Sequence, residues 1–456
     1  MKALLQDKYF WLIIAAGFAV RIITIAAVPF EHVHPWDYGL FWHWGRMLYN
    51  DGISAGFYLS EAHTDYMPGY MYVLWLKAAI ESAFELARGG FIHRFVFALP
   101  AILADVAIGG LIYRWVSNTT ELRSVKPGAG QVVNTAAILV SLLWMLNPAV
   151  ILISTAWGQI DSILAFILLL SVYWLTKKKF LAAFLLYSVG IIVKQQAIVM
   201  GPLFLFFLVM FLLENKWSGK AFLQILRNGV ICVAVLFVII LPFTFYDGGF
   251  NIVPVAEQFM ATLDQRHFAT VNAYNVWGAL GLNWYPTVGD IPQNTFFFTP
   301  PQMALRVLGY GLGIGGAVFV GFWLLIRNRS KQNYFFAGAM IFATFFMFSV
   351  RMHDRYAFVA MPFLLAAYVF SGENNKFGKR DIRYLVGYIG FSVASFLNYF
   401  VVLQHSLGVA RQELSWWGAD VIREATIYSW PSVLVFAWLV YLVVTVKKDE
   451  SNVRSV

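Results

Sequence analysis

YFWLIIAAGFAVRIITIAAVPF, residues 9–30, decides the class of fold. As a helix rising about 1.5 Å per residue, the run is long enough to cross a ~30 Å hydrocarbon core. It is too long for the apolar region of a secretory signal, and no small-residue cleavage site follows it. It therefore reads as a retained first helix. Apolar runs of helix-spanning length recur to the end of the 456-residue chain, which is 60% hydrophobic and only 12% charged. A soluble domain carries about twice that charged fraction. The chain reads as an all-α polytopic membrane protein, a single domain over 1–456 with no separate soluble module, and its first partner is the lipid bilayer. A net charge of +9 would point to nucleic acid in a soluble chain. Here cytoplasmic Lys and Arg facing anionic headgroups account for it, and no nucleic acid partner is expected. The single cysteine, Cys232, lies in an apolar run, so no intramolecular disulfide is possible.

Lys2 and Lys8 precede the first run and place the N-terminus in the cytoplasm. Working outward from there, about twelve transmembrane helices are expected: 9–30, 94–116, 134–156, 160–176, 180–194, 197–213, 229–245, 302–326, 333–350, 356–371, 384–402 and 426–446. This order puts basic groups such as Arg123 and Lys126, Lys177 to Lys179, and Lys216, Lys220 and Arg227 on the cytoplasmic side. It puts all eight histidines outside and brings both termini in. Two long segments, 31–93 and 246–301, lie outside. Within the first, Pro68 to Ala87 carries Lys77, Glu81 and Glu85 at near-helical spacing and reads as a juxtamembrane helix lying on the outer surface. Segments 160–176 and 180–194 reach only ~22–26 Å, so their outer ends stop inside the leaflet and set Asp161 and Lys194 in a recess.

The conspicuous polar groups gather on that outer side. EHVHPWDYGLFWHWGRMLYNDGISAGFYLSEAHTDYMPGY, residues 31–70, is too charged to cross a bilayer and holds Asp37 and Asp65, each beside an aromatic and a proline. Gln159, Asp161, Lys194, Gln195, His353, Asp354 and Arg355 map to outer helix ends. Ionisable groups at membrane depth are costly and mark a functional cavity. Asp37 fits a general base toward a hydroxyl, or alternatively the N-cap of the amphipathic stretch Tyr38 to Tyr49. Asp65, before Pro68, has the same two readings, and Tyr66 stands beside it. Trp36, Trp42 and Trp44 suit stacking on a sugar ring or an interfacial aromatic belt. Arg351, His353 and Arg355, with Lys194 near them, suit a lipid phosphate, or alternatively an internal ion-pair network with Asp161 and Asp354. Arg21 and Asp105 fall mid-helix, where they can pair. His32, His34 and Asp37 form the one grouping that resembles a metal set, but loop histidines rarely ligate. No Gly-rich phosphate loop, HExxH or cysteine site occurs, so neither metal nor cofactor is expected.

Five short elements occur in order: Asp37 in the first outer loop, Asp65-Tyr-Met-Pro68, Asn147-Pro148 leading to Trp157-Gly-Gln-Ile-Asp161, Val193-Lys-Gln-Gln-Ala197, and Met352-His-Asp-Arg-Tyr356. Together, over roughly 9–371, they resemble the GT-C superfamily of polytopic glycosyltransferases. The likeness is nearest to bacterial membrane mannosyltransferases related to the GPI-anchor mannosyltransferases, with kinship to the glucosyltransferases that extend lipid-linked N-glycan precursors. The family pattern has His-Glu-Arg-Tyr where this chain has His353-Asp354-Arg355-Tyr356, and Lys-Pro-Gln or Lys-Gln-Met where it has Lys194-Gln-Gln196. The resemblance implies an inverting transfer of a hexose, mannose or glucose, from a polyprenyl-phosphate donor to an extracytoplasmic glycan or glycolipid at a plasma membrane. It makes Asp37 the catalytic base and the outer cavity the donor site. The other class with this architecture is a transporter or flippase of a lipid-linked glycan, whose polar residues would thread to both membrane faces.

Overall fold

The computed structural model describes residues 6–60, 64–119, 134–292, 295–373 and 379–448. Arg123 and Lys126 lie outside the described residues. All twelve expected segments contain helix. They are α1 (Lys8–Ala27), α4 (Phe91–Thr119), α5 (Thr135–Met145) with α6 (Pro148–Trp157), α7 (Asp161–Thr176), α8 (Phe180–Val193), α9 (Gln195–Glu214) and α10 (Gly219–Thr244), followed by α12 (Gln302–Arg327), α13 (Lys331–Phe348), α14 (Ala360–Ser371), α15 (Ile382–Ala410) and α16 (Ala419–Thr445). Between them lie α2 (Pro35–Asp51), α3 (Pro68–Ala83) and α11 (Val253–Leu263). Seven helices are long and apolar enough to cross a membrane, and α5–α6, bent by 43°, counts as an eighth. The chain is a multi-pass helical membrane protein. Among the described residues there are also short helical turns, such as Gly56–Leu59 and Val276–Ala279, and four two-residue strands: β1 (Phe245–Tyr246), β2 (Gly249–Phe250), β3 (Thr270–Val271) and β4 (Met352–His353).

Local chemistry sets the helix ends. Asp7 caps α1 by accepting from Tyr9 N at 3.0 Å, and Ser218, Ser330 and Asp381 cap α10, α13 and α15. Each such cap stabilises its helix by about 1 kcal/mol. The α5–α6 bend follows from Pro148, which cannot donate to the preceding turn. Asn147 covers the break: its Oδ1 accepts from Ala149 N, while its amide donates to Tyr388 and Ser392 of α15. At the membrane core, α4, α7, α13 and α14 interlock through rings such as Trp115, Phe335 and Phe370. The guanidinium of Arg21 on α1 meets Asp105 of α4 at 2.9 Å, and its other donors reach the Gly17 and Met145 carbonyls. Both side chains are fully buried, so the pair satisfies in protein what lipid cannot.

The first outer segment differs from expectation in one respect. Lys77 of α3 does not face water. It is buried, donates to the Tyr70 hydroxyl at 3.0 Å and lies 4.3 Å from the Phe97 ring centroid. Burial lowers its pKa to about 7. The apolar face of α3 packs on α2 and α8, and it approaches α8 so closely that a Cβ on Gly69 would sit 2.6 Å from the Ile192 carbonyl.

Candidate functional site

The site forms where helices stop. Non-helical backbone at membrane depth persists only where protein buries it or where it lines a cavity. Four interruptions converge: the entry to α2, the α6–α7 corner, the α8–α9 break and the α13–α14 connection.

At the entry to α2, the N-cap is His34 and not Asp37. The His34 Nδ1 accepts the Asp37 N–H at 3.2 Å, so its Nε2 carries the proton and donates to Ser406 of α15 at 2.9 Å. Burial lowers the His34 pKa to about 4 against the pull of Asp37, and the ring is neutral. It stacks on Trp157, with centroids 4.3 Å apart. Trp157 ends a π turn, Leu152–Trp157, a form that recurs at functional sites. The following Gly158 is left-handed at φ 82°, and the reversal aims Trp157 and Gln159 at one point.

That point is Asp37 Oδ2. It accepts from Trp157 Nε1 at 2.7 Å and from Gln159 Nε2 at 2.6 Å, and it faces Arg355 at 3.3 Å. His34 Nδ1 stands 3.5 Å away. All these partners converge on one oxygen, and no described residue hydrogen-bonds Oδ1. The side chain is 17% exposed, so a hydroxyl can reach it. Burial works to raise the Asp37 pKa. Arg355 first, then His34, Trp157 and Gln159, outweigh it and hold the carboxyl well below the usual carboxylate range.

The α8–α9 break is Lys194, whose extended backbone separates the two helices. Its Nζ lies 2.6 Å from Asp161 Oδ1, at the first residue of α7. Arg355 Nε faces Asp161 Oδ2 at 4.0 Å, and neither atom has a hydrogen-bond partner among the described residues. Asp354 lies 3.7 Å from Arg355. Burial, with Asp37 adding to it, raises its pKa to about 7 against the Arg355 field. Arg355 is thus the hub of a network that joins Asp37, Asp161 and Asp354.

Beside this network opens a cavity of about 360 Å³. Its polar end carries Asp65, Tyr66, Lys194, Arg351, His353 and Arg355, together with Gln195 and Arg266. The other side is apolar, from Ile198 and Pro202 of α9 to Ile314 of α12 and Phe345 of α13. Ile198 is 39% and Ile314 50% exposed, so the cavity opens toward lipid between α9 and α12. Burial raises the Asp65 pKa against Arg355 and Arg266. Burial also lowers that of His353 well below the usual imidazole value. The Tyr66 hydroxyl donates to Gln159 at 3.4 Å, linking the cavity wall to the Asp37 cluster. Arg351 is held at the rim by Asp264 at 2.8 Å and His267 at 2.7 Å. Strands β3 and β4 pair in parallel behind these residues and fix the His353–Arg355 turn. Arg266, Asn272, Trp284 and Arg351, four non-glycine residues with left-handed φ near 60°, surround this small sheet. Such strain costs of order 1–3 kcal/mol each and gathers at ligand sites.

Most of the predicted site residues therefore meet in one place, with differences: Gln159 and Asp354 join the Asp37–Arg355 network and do not line the cavity. Trp36 is 53% exposed and is not brought to the cavity. Asp161 is fully buried beneath Lys194 and does not line the recess. Asp65 caps no helix, since α3 begins after Met67 without a side-chain cap. Sequence reasoning grouped His34 with Asp37 only as a metal-like set, and it did not assign Trp157 to the Asp37 cluster or Arg266 to the cavity. The Trp157-Gly158-Gln159 reversal was the available signal for Trp157. A lone arginine in a long outer segment gives none. Among the described residues no group of three or more His, Cys, Asp or Glu is placed to hold a metal ion.

No curated protein matches the chain. The profile of one family matches residues 98–374, more than half its length, and takes in Gln159, Asp161, Lys194 and the 351–355 turn while stopping short of Asp37 and Asp65. With a helical membrane fold and a cationic cavity built from that matched region, the chain belongs to the ALG6, ALG8 glycosyltransferase family, of GT-C type.

Proposed function

We propose that the protein is an inverting glycosyltransferase that moves a hexose from a polyprenyl-phosphate carrier to a glycan or glycolipid hydroxyl outside a plasma membrane. The family match favours glucose over mannose. One observation carries the reading: a cavity with a cationic polar end and an apolar flank open to lipid, which shares Arg355 with Asp37. A phosphate suits the cationic end and an isoprenoid chain the flank. Asp37 Oδ1 takes the proton of the acceptor hydroxyl. The hydroxyl oxygen bonds to the anomeric carbon from the face opposite the phosphate, the carbon–oxygen bond to phosphate breaks, and the electron pair leaves with polyprenyl phosphate. Lys194, Arg351 and Arg355 stabilise the charge on the leaving group, where preorganised donors contribute most.

Arg355 also couples the two halves of the reaction. In the free protein its field keeps Asp37 ionised and weakly basic. A phosphate in the cavity competes for that field, so Asp37 becomes more basic when the donor is seated. The same reading takes α7, α8, α13 and α14 as crossing with the eight apolar spans. That makes twelve, with both termini cytoplasmic and the site at the outer face.

The test is transfer of radiolabelled sugar from synthetic polyprenyl-phosphate glucose and mannose by purified protein, with envelope-lipid extract as acceptor. Asp37→Asn keeps the shape of the cluster and removes the base. It should lower the rate about 10²–10⁴-fold with donor binding kept or tightened, since the phosphate no longer competes with Asp37 for Arg355. Full activity in that variant removes Asp37 from the mechanism. No transfer from either donor, with lipid-linked glycan crossing liposome bilayers, would favour the flippase.

A further inference from the structure

A second recess lies at the other end of the membrane and has no part in the proposed chemistry. It is a groove of about 280 Å³ between α8, α9 and α10. Phe180 and Phe184 line one wall, Phe207 and Phe211 another, and α10 closes it from Gln224 to Val233. That stretch of α10 is ~13 Å long at the helical rise. Val233 lines the groove while remaining 66% exposed, so the groove opens sideways toward the hydrocarbon. α9 separates it from the outer cavity, which uses Ile198 to Pro202 at the opposite end of that helix.

Two further features bear on what fills it. The first is polarity inside the groove. Asn228 is buried at its wall, accepts from Arg227 through Oδ1 at 3.4 Å, and has no described partner for its amide N–H groups. A polar side chain facing an apolar groove at membrane depth calls for an acceptor there. The second is charge at its end. Lys177, Lys178 and Lys179 immediately precede Phe180, and Lys216, Lys220 and Arg227 flank the start of α10. All six are exposed, while the neighbouring acid, Glu214, is already paired with Arg329 at 2.9 Å.

We infer that this groove binds one acyl chain of an anionic glycerophospholipid, with the phosphate on Lys179, Lys220 and Arg227 and an ester carbonyl accepting from Asn228. The inference rests on membrane placement and stands whether or not Asp37 is the base. Phenylalanine walls and the ~13 Å length suit a hydrocarbon chain. The basic rim selects an anionic headgroup, because each Lys or Arg near the surface favours anionic lipid.

Cys232, the only cysteine of the chain, lines the groove and reports on its occupancy. The experiment follows alkylation of Cys232 by N-ethylmaleimide, read by intact mass, on the full chain in detergent. It is run delipidated and with phosphatidylglycerol, phosphatidylcholine or polyprenyl phosphate. Cys232 should react in delipidated protein, and phosphatidylglycerol should protect it at concentrations where phosphatidylcholine does not. Replacing Lys179, Lys220 and Arg227 together by Gln should weaken that protection roughly 10- to 100-fold. A Cβ added at Gly229 meets nothing within 4 Å, so Gly229→Phe should fill the groove without a clash. In that variant Cys232 should be shielded without lipid, phosphatidylglycerol should no longer be retained in native mass spectra, and the melting temperature should match wild type. Cys232 is buried, so slow reaction without lipid is expected; equal protection by the two phospholipids, or their equal retention in native mass spectra, would overturn the inference. So would protection by polyprenyl phosphate alone, which would make the groove part of the donor's path. Sugar transfer by Gly229→Phe reads the proposed reaction separately.

Discussion

Arg355→Gln removes the cation 3.3 Å from Asp37 Oδ2 and takes one guanidinium from the cavity wall. At an effective dielectric of about 20, two unit charges at that separation attract by about 5 kcal/mol. Since about 1.4 kcal/mol shifts a pKa by one unit, the full term corresponds to roughly three to four units. The Trp157 and Gln159 hydrogen bonds survive the change, and neighbouring cations relax toward the gap. We therefore take a rise of roughly 2–3 units as the outcome. The sign is fixed by the starting point. In the wild type the Asp37 pKa is depressed, so the carboxylate is ionised across pH 5–8 and transfer shows no acid limb from it. In the variant a rise of that size brings the pKa back to the ordinary carboxylate range, and the rate falls as pH drops from about 5 toward 3. A separate effect appears at every pH: losing a charged contact to the donor phosphate raises the donor KM by roughly 10- to 100-fold. Initial rates of sugar transfer between pH 3 and 8, at saturating and at limiting donor, separate the two. Arg355→Lys keeps the charge and should keep the wild-type profile. An Arg355→Gln profile as flat as wild type down to pH 3 would refute the claim that Arg355 sets the Asp37 pKa.

Other expectations follow from the same geometry. Asp105→Leu strands the Arg21 guanidinium in the membrane and should cost about 3–5 kcal/mol, visible as a large fall in melting temperature in detergent; Arg21→Met with Asp105→Leu should recover most of it. His34→Leu loses the acceptor for the Asp37 N–H, worth about 1 kcal/mol, and the ring that stacks on Trp157. It should lower the transfer rate with donor KM unchanged, and His34→Asn, which keeps an acceptor at the cap, should restore part of the rate. Gly69→Val drives a side chain into the Ile192 carbonyl and should destabilise by about 1–3 kcal/mol in the same melting assay.

The helical membrane class was legible because its signal is long and redundant. Runs such as 9–30 and 384–402 each carry it alone. The motifs were legible as short polar islands at helix ends, and the structure brings Asp37, Gln159, Lys194 and Arg355 together from positions far apart in sequence. Side-chain facing was less legible. The spacing of Lys77, Glu81 and Glu85 reads as a wet face, yet Lys77 turns inward because its ammonium sits over the Phe97 ring and Tyr70 gives it a hydrogen-bond partner. That choice depends on the tertiary neighbours of α3. His34 was hidden for a related reason: its partners Trp157 and Ser406 lie on elements remote in sequence. Ser406 also lies beyond residue 372, where no motif stands out.

Two readings of the basic cluster, phosphate ligand and internal ion-pair network, describe the same residues in two states. Burying Lys194 and Arg355 without partners would cost several kcal/mol each, and Asp161, Asp37 and Asp354 pair with them. The pairing is incomplete by design of the backbone breaks. Arg355 Nε and Asp161 Oδ2 remain without hydrogen bonds at 4.0 Å, and the Gln195 and Gln196 carbonyl oxygens are unsatisfied at the cavity wall. A network satisfied in full would resist exchanging one anion for another. One held partly open can pass a guanidinium from carboxylate to phosphate at small cost. On this argument the acids of the network store the cations for the donor, and Asp37, whose unbonded Oδ1 belongs to a side chain 17% exposed where Asp161 and Asp354 are buried, is the one left to take the proton.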